Sequence, residues 1–152
     1  MKVEDLMIGD WVSLEDENLT LEERYFKIEY LSISAGVSWV NQGTNAPIGL
    51  GDGESLIPVF TDDIYPIPLT PEILKKNGFV NSYIDVSLNK DSVYKYNHFY
   101  TGNSVIVDME SNKLIVKYEN DMWMNLPYNR TIYVHELQHV LKHCDIKKEI
   151  II

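Results

Sequence analysis

Alternation of apolar with polar residues is the dominant pattern along this chain, and it predicts a protein built mainly from short strands. Between Tyr25 and Ile33, Tyr25, Lys27 and Glu29 alternate with Phe26, Ile28 and Tyr30, the two-residue period of a strand with one buried face. Upstream, Leu6-Met7-Ile8-Gly9-Asp10 reads as a turn that delivers Trp11-Val12 into a strand, and Val37-Ser38-Trp39-Val40 is a further short one. These runs predict a small antiparallel barrel-like sheet. Residues 41–54 carry Gly43, Pro47, Gly49, Gly51 and Gly53 and read as the longest loop.

The pattern changes at Pro66-Ile67-Pro68-Leu69-Thr70-Pro71-Glu72. Thr70 suits an N-cap, Pro71 the first helical position, Glu72 the positive helix end and Gly78 the C-terminal stop, so a short helix is predicted over 71–77. Four strand-like runs follow, Asn81–Leu88, Val93–Phe99, Ser104–Met109 and Lys113–Tyr118, separated by turn-prone Asn89-Lys90-Asp91, Thr101-Gly102-Asn103 and Glu110-Ser111-Asn112. They predict an antiparallel meander over 81–118, packed against a last helix over 131–144. The fold class is therefore α+β. A mostly-β module occupies 1–65 and an α+β module 66–152, an arrangement also compatible with one compact unit.

Composition sharpens this picture in two places. The chain has 152 residues, 45% apolar and 24% charged, which is ordinary for a globular protein able to bury a core. Its single cysteine, Cys144, precludes an intrachain disulfide. Met1-Lys2-Val3-Glu4-Asp5-Leu6 places acids where a signal peptide needs an apolar core, and no apolar run approaches membrane-spanning length. A cytoplasmic protein with no membrane partner is expected. The net charge of −10 is uneven. Residues 1–64 hold thirteen Asp/Glu against three Lys/Arg, a balance of −10, whereas residues 65–152 hold ten of each. Such a field repels phosphate backbones, so nucleic acid is not an expected partner, while a basic protein partner or mimicry of nucleic acid would suit the charge. A solvated acidic surface is the plainer explanation.

One stretch spells a chemistry. His135-Glu136-Leu137-Gln138-His139 matches H-E-x-x-H, in which two histidines on one helix face ligate zinc and the glutamate is general base toward the bound water. The alternative function it suggests is a zinc-dependent metallopeptidase, with His135 and His139 as metal ligands and Glu136 as catalytic base. The surroundings argue otherwise. At 100° per residue, Tyr133, Leu137, Val140, Leu141 and Cys144 fall within about 60° of one line. His135, His139, His143 and Lys142 fall on the opposite side, which predicts a solvated histidine row. A third ligand is also wanting. Asp145 stands six residues after His139, but Lys142 occupies the turn position where a glycine belongs, and Glu149 lies in a short Ile-rich tail. His143 is about 12 Å along the axis from His135. No metal, cofactor or catalytic residue is therefore assigned.

Other features are better explained by packing. Tyr94, Tyr96 and His98 share one strand face, which could stack bases but more simply covers a core. Trp123 between Met122 and Met124 could anchor a partner or close the end of the core, and the second is favoured. Cys144 lies on the apolar helix stripe. Gly49-Leu50-Gly51-Asp52-Gly53-Glu54 lacks the lysine of a phosphate-cradling loop and carries two acids.

Three separated segments resemble a family of short, uncharacterised proteins of anaerobic gut bacteria, often encoded on prophages and conjugative elements. Leu6-Met7-Ile8-Gly9-Asp10-Trp11-Val12 resembles its opening L-x-I-G-N-aromatic-V. Ile67-Pro68-Leu69-Thr70-Pro71-Glu72-Ile73-Leu74 with Gly78-Phe79 resembles its P-I-P-L-T-x-x-x-L and G-F. Tyr133-Val134-His135-Glu136-Leu137-Gln138-His139 resembles its closing Y-V-H-Q-L-Q-N. In that family glutamine and asparagine usually stand where Glu136 and His139 do, so the resemblance implies no zinc site, and it brings no established activity. The sequence points to a non-enzymatic accessory or protein-interaction module of a mobile element. The zinc metallopeptidase and the acidic nucleic-acid mimic stand as alternatives.

Overall fold

A computed structural model describes residues 6–14, 24–31, 48–51, 56–59, 64–81 and 92–152. The chain divides into two compact units, Met1–Ile67 and Pro68–Ile152. Both are built on antiparallel sheets, with two helices among the described residues of the second, an α+β protein dominated by strands.

The first unit begins with a turn that uses its acid structurally. Asp10 is fully buried; its carboxylate accepts from Met7 N–H at 2.7 Å, and its own N–H donates to Met7 C=O at 3.1 Å. Gly9, at φ 90°, makes the bend and donates to Ile28 C=O. The chain then enters β1 (Trp11–Leu14), which pairs with β2 (Tyr25–Leu31) on one side and β5 (Ile64–Pro66) on the other. Leu6, Val12, Ile28 and Ile64 are buried together, with Leu14 and Phe26 packed against them.

β3 (Ile48–Gly51) and β4 (Leu56–Val59) complete the order β4-β3-β2-β1-β5. Residues 48–51 were expected in a loop. They form a strand because their backbone pairs with β2 across a bulge between Ile28 and Tyr30, a ladder to which Gly49 and Gly51 contribute without side chains. Pro58 sits on β4, where an edge strand can spare the missing donor. Among the described residues no pairing joins β4 to β5. The strand expected at 37–40, the rest of the loop over 41–54, and residues 82–91 lie outside the described residues, so only the start of the run at 81–88 is seen.

In the second unit the helix signals act as expected. α1 spans Pro71–Lys76, Thr70 Oγ1 accepts from Ile73 N–H at 3.3 Å, and Gly78 at φ 74° ends it. Phe79 N–H returns to Leu74 C=O and Gly78 N–H to Lys75 C=O, the paired closure that a left-handed glycine permits. The sheet runs β10-β9-β8-β7-β6, with β6 at Val80–Asn81, β7 at Val93–Asn97, β8 at Ser104–Asp108, β9 at Lys113–Lys117 and β10 at Trp123–Pro127. The meander thus extends beyond 118 by a strand that the alternation did not announce. Tyr94, Val105, Val107, Leu114 and Val116 are buried on one face of it.

β8 is buried along its whole length, polar ends included. Ser104 Oγ donates to Asn97 Oδ1 at 2.8 Å across the β7 pairing. Asp108 Oδ1 accepts from the N–H groups of Glu110 and Ser111, both at 3.1 Å, while Oδ2 accepts from the Ser111 hydroxyl. That carboxylate closes the β8–β9 turn, in which Asn112 takes φ 50°.

α2 (Val134–His143) follows a single bridge between Pro68 and Tyr133. After it the chain is irregular yet anchored. Ile146 and Ile150 are buried, and the buried Asn77 amide holds Ile151 from both sides: Nδ2 donates to Ile151 C=O at 2.7 Å and Oδ1 accepts from Ile151 N–H at 2.9 Å.

Replacing Asp108 with alanine strands two turn N–H groups and should lower unfolding free energy by about 3 kcal/mol, read as a drop in urea midpoint. A loss below about 0.5 kcal/mol would show that the turn closes without it.

Candidate binding surface

The H-E-x-x-H segment lies on α2, and its residues have structural partners. Glu136 is the third residue of the helix, and its side chain is only 11% exposed. Its Oε2 accepts from the N-cap Tyr133 N–H at 2.8 Å, satisfying a donor that the helix start would otherwise leave open. Both oxygens also meet Arg130, Oε1 to Nη2 at 2.8 Å and Oε2 to Nη1 at 3.1 Å, a bidentate pair. The guanidinium lies 4.5 Å from the Tyr133 ring centroid and 5.9 Å from that of Tyr128. The Glu136 hydrogen bond raises the Arg130 pKa further, and burial raises that of the Tyr128 hydroxyl.

The expectation that both histidines face water is corrected. His135 is buried, with its ring stacked on Tyr133 at 5.8 Å and 15°, and Gln138 is buried too. The wheel expectation counted imidazole as a surface group, whereas α2 buries Val134, His135, Leu137, Gln138, Val140 and Leu141, an arc much wider than the apolar stripe. His139 is half-buried with its ring 5.8 Å from that of His135. Among the described residues no group of three or more His, Cys, Asp or Glu side chains is placed to hold a metal ion. Both Glu136 oxygens are thus engaged, at the helix start and with Arg130.

A different set of residues converges at one end of the second sheet. Register aligns Asn97, Ser104, Lys117 and Trp123 in one row, so the β7–β8 and β9–β10 connections emerge side by side. The first is a tight turn closed by His98 N–H to Asn103 C=O at 2.9 Å. Inside it, the Thr101 hydroxyl meets His98 Nδ1 at 2.8 Å and accepts from Asn103 N–H at 3.3 Å. Gly102 has φ 65°, and a Cβ there would stand 3.0 Å from Glu119 Cγ.

Asn103 joins three pieces of chain. Besides closing its own turn, its Oδ1 accepts from Glu119 N–H at 3.2 Å, and its Nδ2 donates to Cys144 C=O at 3.3 Å. The second connection is held by Tyr118 N–H to Met122 C=O at 2.9 Å and by a Lys117–Asp121 ion pair at 2.8 Å, which lowers the Asp121 pKa. Cys144 is buried, and that burial raises its pKa, opposed in part by a hydrogen bond with Tyr118.

Between the two connections lies an open cleft of about 540 Å3, lined by Thr101, Asn103, Tyr118, Glu119, Asn120 and Met122. The same two connections carry exposed apolar side chains. Phe99 is 92% exposed, Tyr100 90% and Met122 62%, with Trp123 50% exposed on the adjoining strand. The Phe99 and Tyr100 rings meet edge to face at 5.7 Å. Tyr94, by contrast, is buried, and Tyr96 packs on Phe79 at 5.3 Å. Trp123 is an exposed side chain on an edge strand and does not close the core.

Phe99 and Tyr100 escaped the sequence reading because the alternation was carried through Phe99, whereas β7 ends at Asn97. Their signal was two adjacent aromatics directly before Thr-Gly-Asn. Comparison with protein-family models, with curated proteins and with solved structures finds no match to this chain. Among the described residues no helix is long and apolar enough to cross a membrane.

If Glu136 is structural, Glu136→Ala should lower stability by about 1 kcal/mol, chiefly through the lost capping bond, since the Arg130 side chain is half exposed and its ion pair is screened by water. An unchanged melting temperature would free Glu136 for another role.

Proposed function

We propose that this protein is a non-enzymatic interaction module that grips a protein partner with the aromatic rim and cleft at the end of its second sheet. The observation that carries the reading is the near-complete exposure of Phe99 and Tyr100 on a turn tied down by hydrogen bonds. Turn tips that merely reverse the chain use small polar residues, and exposed aromatic pairs on a rigid frame are the usual anchors of a contact. Rigidity matters because the partner then orders fewer side chains on binding.

The cleft adds amide, hydroxyl and carboxylate groups, and the Glu119 carboxylate beside exposed aromatic rings favours a partner segment that mixes basic with apolar side chains. Such a protein would act in the cytoplasm as an accessory of a mobile element, in line with its resemblance to prophage and conjugative-element proteins. The same reading takes the first sheet as curled and α2 as the cover of the meander's apolar face. The burial of Leu137, Val140 and Leu141 and the contacts of Cys144 with Asn103 and Tyr118 support this.

Selection from a displayed random-peptide library should enrich segments carrying both Lys/Arg and aromatic or aliphatic residues. The Phe99→Ser/Tyr100→Ser double variant should bind those peptides at least about tenfold more weakly with its melting temperature unchanged. Equal binding by the double variant, or failure to enrich any sequence, refutes the assignment.

A further inference from the structure

β10 is an outer strand, and among the described residues nothing pairs with its far side. Which of its backbone groups face outward follows from the bonds at its two ends. Tyr118 N–H donates to Met122 C=O at 2.9 Å and Tyr128 N–H to Asn112 C=O at 2.8 Å, and the partners Trp123↔Lys117 through Pro127↔Lys113 keep that register. Bonded and non-bonded positions alternate in an antiparallel pair. Met122, Met124, Leu126 and Tyr128 therefore turn their backbone groups toward β9, and Trp123, Asn125 and Pro127 turn theirs away from the sheet.

Natural edges are usually guarded by charge, by extreme shortness or by proline. β10 reads Trp-Met-Asn-Leu-Pro, with no charged residue and with Pro127 only at its end. Trp123, Asn125 and Pro127 are all exposed.

We propose that β10 is a dimer interface, in which two copies of this chain pair antiparallel about a two-fold axis at Asn125. In that register Asn125 faces Asn125 of the second copy, Met124 faces its Leu126, and Trp123 faces its Pro127. Each Asn125 N–H donates to the other Asn125 C=O, and each Trp123 N–H donates to the C=O of the opposing Pro127. The absent Pro127 N–H ends the ladder there. A one-residue slip would set bonded against non-bonded positions and carry the apolar residues to the wrong face.

The side chains agree with the backbone. Met124 and Leu126 are half-buried on the face that also carries Val105, Val107, Leu114 and Val116, so pairing continues that apolar surface across the axis. On the other face the exposed Trp123 ring meets the opposing proline. Residues 65–152 carry ten acids and ten bases, so the paired units do not repel one another through net charge. Both edges are consumed by the two-fold, which closes the assembly at two copies and gives no fibre.

Sedimentation equilibrium of the full chain decides the matter. The expected mass is twice 17.6 kDa at high protein concentration, falling toward 17.6 kDa on dilution. Asn125→Pro removes the central donors without touching the β9 ladder and should sediment as a monomer with an unchanged circular dichroism spectrum. Asn125→Lys, which sets two like charges face to face at the axis, should do the same and decides the case if the proline variant misfolds. A wild-type chain that stays at 17.6 kDa at every concentration overturns the proposal, as does a doubled mass that survives in the folded variants. The Phe99→Ser/Tyr100→Ser variant should keep the doubled mass, so loss of peptide binding and loss of the dimer are separate results.

Discussion

Burial of β8 along its full length is the constraint on which the second unit depends. A strand with both faces covered cannot leave a polar group unpaired, and this one begins with Ser104 and ends with Asp108. Ser104 is satisfied only in register with Asn97, and Asp108 only by a turn of the length that brings Glu110 and Ser111 back to it. The two polar ends fix where β8 starts and stops, and with that the pairing of β7 and β9. The connections at the Ser104 end inherit the same register, so the aromatic rim is placed by bonds that lie below it.

The H-E-x-x-H segment illustrates how a catalytic spelling can serve packing. What distinguishes a base from a cap is the company its oxygens keep, and Glu136 meets a backbone N–H and a guanidinium. Its position three residues after the N-cap is where a carboxylate completes a helix start. The neighbouring His135 is a flat polar ring that stacks on Tyr133, which lets it enter the interior as an aromatic residue would.

Local chemistry was legible and tertiary consequence was not. Thr70, Pro71 and Gly78 announced α1 because capping is decided within a few residues, and three of the four expected meander runs showed themselves as strand-like stretches between turn-prone residues. β10 did not, since Trp-Met-Asn-Leu-Pro is short and closes on proline. β3 did not, since Gly49 and Gly51 carry no strand preference and owe their conformation to the partner ladder. The burial of His135 and the triple role of Asn103 depend on residues far along the chain that no local window contains. For the candidate surface, the sequence offered Trp123 but assigned it to the core, and it carried the strand through Phe99, the residue whose exposure matters most.

Gly102 carries a last implication. Its left-handed backbone, and the Glu119 side chain standing where a Cβ would go, close that position to other residues. Phe99 and Tyr100, three and two places upstream, meet no such restriction, because their side chains project from the tip into solvent. The tip therefore separates the residues that shape it from those that display chemistry. Its lettering is free to change while its outline stays constant.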